Sequence, residues 1–380
     1  MSHRIFSADT HAKLVLCLLA LTATQAYAAR INTNPYANVD WQNDFRLKTQ
    51  FHDHVATIPS RYEAYDAAGY DAVGMLYYSG DPSLQTAWTE RRWPPEDWLP
   101  ASLLDNFENI QFLFPSTEER YPNVPHLTSP FLTTYIEHWD PTLEPEKLPY
   151  HHSNAQEAIN RIGAFGGIPF LAHPWNNCCD TLTGYHAAEI HNAYATGKHA
   201  LGEIADDRNT DMMTFWDTKL IENPTLYGIS VNDWFGPWRS GIPDWVSDSG
   251  KTIVLADEAN MGSLRRAVEA GAMLAVKDFG VVKDQFPLIE SISLLGDTIM
   301  INSTDSTFTT TWISNGSIVG SGPSFDTATL SPDARYLRAE LINAEGSTVY
   351  TQPWGIRIPE PNMIILVSVG TVLLMRSGRG

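Results

Sequence analysis

Between Leu47 and Ala270 the hydrophobic positions fall into short apolar runs separated by stretches of helical spacing. Leu47, Thr49 and Phe51 alternate with polar neighbours and predict a strand. Arg61–Gly69 predicts a short helix stopped by Gly69, because glycine takes the left-handed conformation that ends a helix. Tyr70–Tyr77 and Ile110–Phe114 predict buried strands. Ala155, Ala158, Ile159 and Ile162 recur at helical spacing across Asn154–Phe165, which ends at Gly166-Gly167. Ile168–Ala172 and Ala187–Ile190 predict strands, Met212–Ile221 a helix, Leu226–Val231 and Thr252–Ala256 strands, and Met261–Ala270 a helix. Strands alternating with helices predict an α/β fold, a largely parallel sheet or barrel, whose chemistry gathers at the carboxyl ends of the strands. The Pro- and Trp-rich stretch Ser79–Asn106 breaks the rhythm and is long enough for a lid or substrate loop.

From about Phe286 the period changes. Ile289–Leu294, Thr298–Ser303, Thr307–Ile313, Ser324–Leu330, Tyr336–Ile342 and Thr348–Trp354 alternate apolar and polar residues between Gly, Asn, Asp and Pro turns. Asn315-Gly316 is a hairpin turn pair. This pattern predicts a small all-β, sandwich-like domain. Its sequence shows no cluster of titratable side chains, which suits packing or adhesion.

Both ends carry processing signals. Arg4 and Lys13, the apolar run Leu14–Leu21 and Ala26-Tyr27-Ala28 follow the order of a secretory signal peptide cleaved after Ala28. The mature chain keeps only Cys178 and Cys179, and neighbouring cysteines pair only with strain, so no disulfide framework is expected. At the other end Pro359-Glu360-Pro361, the short apolar run Met363–Met375, and Arg376 and Arg379 resemble the PEP-CTERM sorting signal of Gram-negative bacteria. That resemblance implies an exosortase-type sorting protease, transient membrane association, and delivery to the surface, matrix or periplasm. The resulting boundaries are 1–28 signal peptide, 29–46 leader, 47–283 α/β region, 284–358 β domain and 359–380 sorting segment. Net charge is −19 over 380 residues, which argues against a nucleic-acid partner.

The candidate chemistry begins at His52-Asp53-His54. On extended chain, residues two apart point the same way, so His52 and His54 can aim at one point while Asp53 faces away. Glu118, Ala172-His173-Pro174 and Asp233 each follow their own apolar run. Each has a plainer reading: a solvated pair for His52 and His54, a core histidine for His173, a helix N-cap for Asp233. Arg239 and Lys251 could meet an anionic substrate, or be simply exposed.

Together, from Leu47 to Val282, these motifs resemble the PHP (polymerase and histidinol phosphatase) family of metal-dependent phosphoesterases, which fold as a distorted (β/α)7 barrel. The family carries H-x-H, T-D-H, G-x-E, A-H-P and D-x-H in order. Here stand His52-Asp53-His54, Leu76-Tyr77-Tyr78, Ser116-Thr117-Glu118, Ala172-His173-Pro174 and Asp233-Trp234-Phe235. The T-D-H histidine, the last histidine and the ligand expected near Pro59 and Ser60 are lost, and in three-metal members these three belong to one metal. The resemblance therefore implies two divalent ions, Zn²⁺, Mn²⁺ or Fe, held by His52, His54, Glu118, His173, Asp233 and one more histidine. His126 is the candidate for that place, with His138, His151 and His152 as rivals. Glu189 matches a family E-x-x-N segment ending at Asn192, implying support of the ligands or substrate contact, although it also reads as a solvated carboxylate. Tyr78 would border the lost metal's space and donate to substrate. The expected function is a secreted metal-dependent hydrolase of phosphoesterase type. The alternatives are hydrolysis of another ester, carbamate or amide, or a degenerate domain that binds at the surface.

Overall fold

The computed structural model describes residues 30–53, 59–78, 104–119, 126–133, 155–174, 179, 181–204, 208–233, 248–280, 284, 286–304 and 307–357. The expected signal and sorting segments, most of the Trp-rich stretch, His54, His138, His151, His152, Cys178, Phe235 and Arg239 lie outside these residues. Among the described residues no helix is long and apolar enough to cross a membrane.

Among the described residues the fold is a mixed α/β assembly around one large sheet of fifteen strands. In chain order β2 (Phe45–Gln50), β3 (Ala72–Tyr78) and β4 (Phe112–Glu119) pair in parallel. The two-residue β5 (Leu127–Thr128) is wedged antiparallel between β4 and β6 (Phe170–Leu171). Parallel pairing then resumes through β7 (Ala187–Asn192) to β8 (Tyr227–Val231). On the far side of β2, β9 (Gly250–Ala256) and β10 (Met273–Lys277) run antiparallel. The sheet is thus mixed where a largely parallel one is expected. The difference lies in β5, too short to show a period, and in β9 and β10, whose direction periodicity cannot reveal. The arc from β2 to β8 curls until Asp53 bridges Asp233 in parallel, with Asp233 N donating to His52 O at 2.7 Å.

Helices α1 (Pro59–Ala67), α2 (Ala155–Ala164), α3 (Ala193–Ala200), α4 (Arg208–Glu222) and α5 (Met261–Ala270) flank the sheet. α2 buries Ala155, Ala158, Ile159 and Ile162, the four positions its periodicity singles out. α5 starts at the Asn260 side chain, which caps Ser263 N, and stops at left-handed Gly271 (φ 72°). A Cβ at Gly271 would lie 2.2 Å from the Tyr227 ring, so glycine is required twice over. Beneath the strand ends, Phe51 packs on Phe114 and Phe170 (centroids 5.6 and 5.4 Å) and Phe114 stacks on Phe131 at 4.9 Å. All four rings are buried. At about 1.5–3 kcal/mol per buried large side chain, this aromatic plug is a firm floor for whatever sits above it.

The remaining strands are β11 (Ile289–Leu295), β12 (Thr298–Ser303), β13 (Thr309–Ser314), β14 (Ser317–Ser321), β15 (Ser324–Asp326), β16 (Tyr336–Ile342), β17 (Thr348–Thr351) and β18 (Trp354–Arg357). β11, β12 and β15 form a separate three-stranded sheet. The others continue the large sheet, because β17 pairs with β10. Asn315 and Gly316 make the β13–β14 turn with φ 47° and 72°. β18 pairs antiparallel with β1 (Arg30–Thr33), so the stretch before Phe45 contributes a strand. The C-terminal strands are also bonded to the α/β part through side chains. The Gln352 amide both donates to and accepts from the backbone of Gly228 at 2.7 Å. Arg338, buried over the Trp216 ring, grips Asp217 of α4 with two nitrogens at 2.8 Å.

Candidate metal centre

The side chains of interest converge at the carboxyl ends of the arc. His52 follows β2, His126 precedes β5, His173 follows β6 and Asp233 follows β8, while Glu118 and Glu189 lie within β4 and β7. β4 runs on to Glu119, so Glu118 is a strand residue rather than one four places beyond a strand. The polar run Pro115-Ser116-Thr117 hides that continuation from periodicity. Backbone bonds join the supporting segments, with Ala172 N donating to His126 O at 2.9 Å.

Two overlapping groups of donor atoms result, His52–His173–Asp233 and Glu118–His126–His173, each with its atoms within 4.8 Å of one another. Within them His52 Nε2 lies 3.2 Å from Asp233 Oδ1 and 3.6 Å from Glu118 Oε2. Glu118 Oε1 lies 3.5 Å from His173 Nε2 and also meets His126 Nδ1. The two oxygens of one carboxylate therefore face different groups. His52, Glu118, His173 and Asp233 are buried and His126 is half-buried.

The surrounding bonds fix these donors. His52 Nδ1 contacts Glu189 Oε1 at 2.5 Å, which turns Nε2 towards the cluster. Glu189 Oε2 accepts from His173 N at 2.7 Å and from Asn192 Nδ2 at 3.0 Å. The same Asn192 amide donates to Asp233 Oδ2 at 3.0 Å, leaving Oδ1 towards His52. Glu189 is fully buried, not a solvated carboxylate. A carboxylate on the outer nitrogen of an imidazole sets its tautomer and raises its basicity as a ligand. Two donors, His173 (φ 35°) and Asp233 (φ 60°), hold left-handed backbone, a conformation costing a non-glycine residue about 1–2 kcal/mol. Such outliers cluster where function fixes geometry. Burial disfavours the imidazolium of His52, but the carboxylates of Asp233, Glu189 and Glu118 outweigh it and raise its pKa well above the usual histidine value.

Other expected residues fall elsewhere. Asp53 turns away from the cluster to Arg61 Nη1 (3.0 Å) and the Tyr65 hydroxyl. Tyr78 ends β3 opposite Glu118, and its side chain lies outside what is described. Lys251 is neither exposed nor placed for substrate. It is fully buried, with Nζ at 2.8–3.2 Å from Asp284, Asp278 and Asp248. Asn192, Gln50 and Asn232 carry no charge and no period, and of these only Asn192, through its spacing from Glu189, left a sequence signal.

Imidazole and carboxylate donors from five strand ends, meeting in a buried space, form a set that suits Zn²⁺, Mn²⁺ or Fe and fits a metal. No protein-family model and no curated protein matches the chain. Among solved structures it is similar to a two-domain protein from Bacteroides vulgatus ATCC 8482 containing a predicted PHP-like metal-dependent phosphoesterase, with TM-score 0.46 and 15% identity over 86% of this chain and 91% of that one. At that score the likeness carries no functional weight, and the chemistry stands on the residues themselves.

Proposed function

We propose that this chain is an exported metal-dependent hydrolase of phosphoesterase type, built on a distorted (β/α)7 barrel with a β-sandwich-like C-terminal part. In this reading two divalent transition ions would be held here, one by His52, His54 and Asp233, the other by His126 and His173, with Glu118 offering an oxygen to each. The observation that carries the proposal is the split of the Glu118 carboxylate, Oε2 towards His52 and Oε1 towards His173 and His126. Two ions so held would lower the pKa of a shared water and polarise the scissile oxygen. Glu189 keeps the His52 tautomer, Asn192 holds Asp233 in its rotamer, and Tyr78, whose backbone pairs opposite Glu118, would border the substrate. The donor set does not choose the leaving group, so carbamates and amides belong in a substrate screen beside phosphoesters. The N-terminal signal and the PEP-CTERM-like segment support export in a Gram-negative bacterium and handling by an exosortase-type protease.

Elemental analysis of the protein purified without chelator tests the reading. Two equivalents of transition metal are expected, falling in His173→Ala, because His173 is a donor to the second ion and lies within 4.8 Å of His52 and Asp233 beside the first. A wild-type protein that stays metal-free after loading with Zn²⁺ and Mn²⁺ would overturn it and leave a surface-binding role.

A further inference from the structure

β9 contributes no donor to the candidate centre, yet its first residue is laced between the two strands that bring His52 and Asp233 together. Gln50 and Asn232, both fully buried, make the lacing. Gln50 Oε1 accepts from His52 N at 3.2 Å and Asn232 N at 3.3 Å, while its Nε2 donates to Gly250 O at 3.2 Å. The Asn232 side chain takes the other backbone group of the same residue: its Oδ1 accepts from Gly250 N at 3.0 Å. Asn232 Nδ2 donates onward to Asp248 Oδ1 and the Tyr70 hydroxyl, each at 3.2 Å. Gly250 itself touches β8, since a Cβ there would lie 1.9 Å from Val231 O. Only glycine allows that approach.

We infer that Gln50, Asn232 and Gly250 form a buried buckle that positions the candidate ligands, fixing the distance between His52 and Asp233 before any ion arrives. This rests on the metal-centre reading above. A side-chain amide that accepts from the residue two ahead on one strand, and from the residue preceding the ligand on another, couples the two strand ends as one body. β9 then acts as a splint, anchored through Asp248 and Lys251. Buried amides with both ends satisfied specify one arrangement, because any shift leaves a polar group bare in the interior.

The test compares Co²⁺ binding to wild type, Gln50→Met and Gln50→Glu in the full-length protein. Met keeps the shape and removes every hydrogen bond; Glu retains the accepting oxygen. Gln50→Met is expected to lose about 10- to 100-fold in Co²⁺ affinity, the usual cost of removing a support for a ligand, and to change the visible Co²⁺ spectrum, while Gln50→Glu, which keeps the accepting oxygen but loses the donor to Gly250 O, falls between Gln50→Met and wild type. A change in spectrum reports donor geometry, which a loss of global stability alone would not alter. Wild type that binds no Co²⁺ brings down the metal-centre reading, and this inference with it. Wild type that binds, beside a Gln50→Met protein of unchanged affinity and spectrum, overturns the buckle alone. If Gln50→Met does not fold, hydrogen exchange in metal-free wild type decides. The amides of His52, Asn232 and Gly250 should exchange as slowly as the ladder amides of β2, and fast exchange would overturn the inference.

Discussion

Two clusters of charge, one largely interior and one reaching the surface at Asp284, start a few residues apart at β2 and are built on opposite plans. In the candidate centre the carboxylates of Glu118, Glu189 and Asp233 face imidazoles, groups that can give up a proton and offer a lone pair. Beside it, Asp248, Asp278 and Asp284 face Lys48 and Lys251, whose ammonium groups have no lone pair to offer. The second cluster carries its own cation and is closed; the first is arranged so that a cation can be exchanged. Burial of carboxylates is thus answered by a covalently attached charge in one cluster and by titratable donors in the other.

Breaking the closed cluster should give the largest effect. Lys251→Met leaves buried Asp278 facing an uncharged side chain, while Lys48 still reaches Asp248 and Asp284, and should cost about 3 kcal/mol of unfolding free energy, read from denaturant midpoints. The open cluster should respond in metal affinity instead. His173→Ala removes a donor from both groups and should lower affinity at least about 100-fold, or about 2.7 kcal/mol, by competition with a chelating dye, while the metal-free protein melts close to wild type. Glu189→Gln keeps a hydrogen bond to His52 but not the charge. A loss of about 10- to 100-fold in affinity is expected. If Lys251→Met abolished metal binding with no loss of stability, the division of labour between the clusters would be wrong.

The smallest effect is in pH dependence. The folded-state pKa of His52 lies above its ordinary value of 6.5, so its protonated form stabilises the metal-free protein fully below that value. That contribution is lost as pH rises through the folded pKa. Melting of the chelator-treated protein should therefore fall across this window. A metal on Nε2 must displace the same proton, so loading should release protons, measurable as a calorimetric heat that varies with buffer, and affinity should rise with pH.

Much of this was legible in the sequence, and the limits have physical causes. Periodicity located most strands and helices, though not, among others, β1, β5 or α3, because burial selects apolar residues at period 2 or 3.6, as in β12 and α2. Strand direction leaves no such mark, so the antiparallel insertion of β5 and the continuation of the sheet from β10 into β17 appear only in three dimensions. His52, Glu118, His126, His173 and Asp233 stood out because their side chains carry metal-binding chemistry, and the structure gathers them. Of the residues that hold them, Glu189 and Asn192 showed through their E-x-x-N spacing, and Gln50 and Asn232 did not show at all. Gln50, Asn192 and Asn232 act through neutral amides, and the left-handed φ of His173 and Asp233 falls on residues that do not advertise it as glycine would.

One pairing has a consequence for how the molecule could be rewired. β1 and β18 run antiparallel with Arg30 opposite Arg357, so the described chain enters and leaves at one corner of the sheet. A short linker joining those two positions would close the polypeptide into a ring without moving any strand. New ends could then be opened at the exposed Gly296-Asp297 turn between β11 and β12, far in sequence from every donor of the centre. Such a circular permutant should keep the same neighbours for each residue while presenting its termini at a different face.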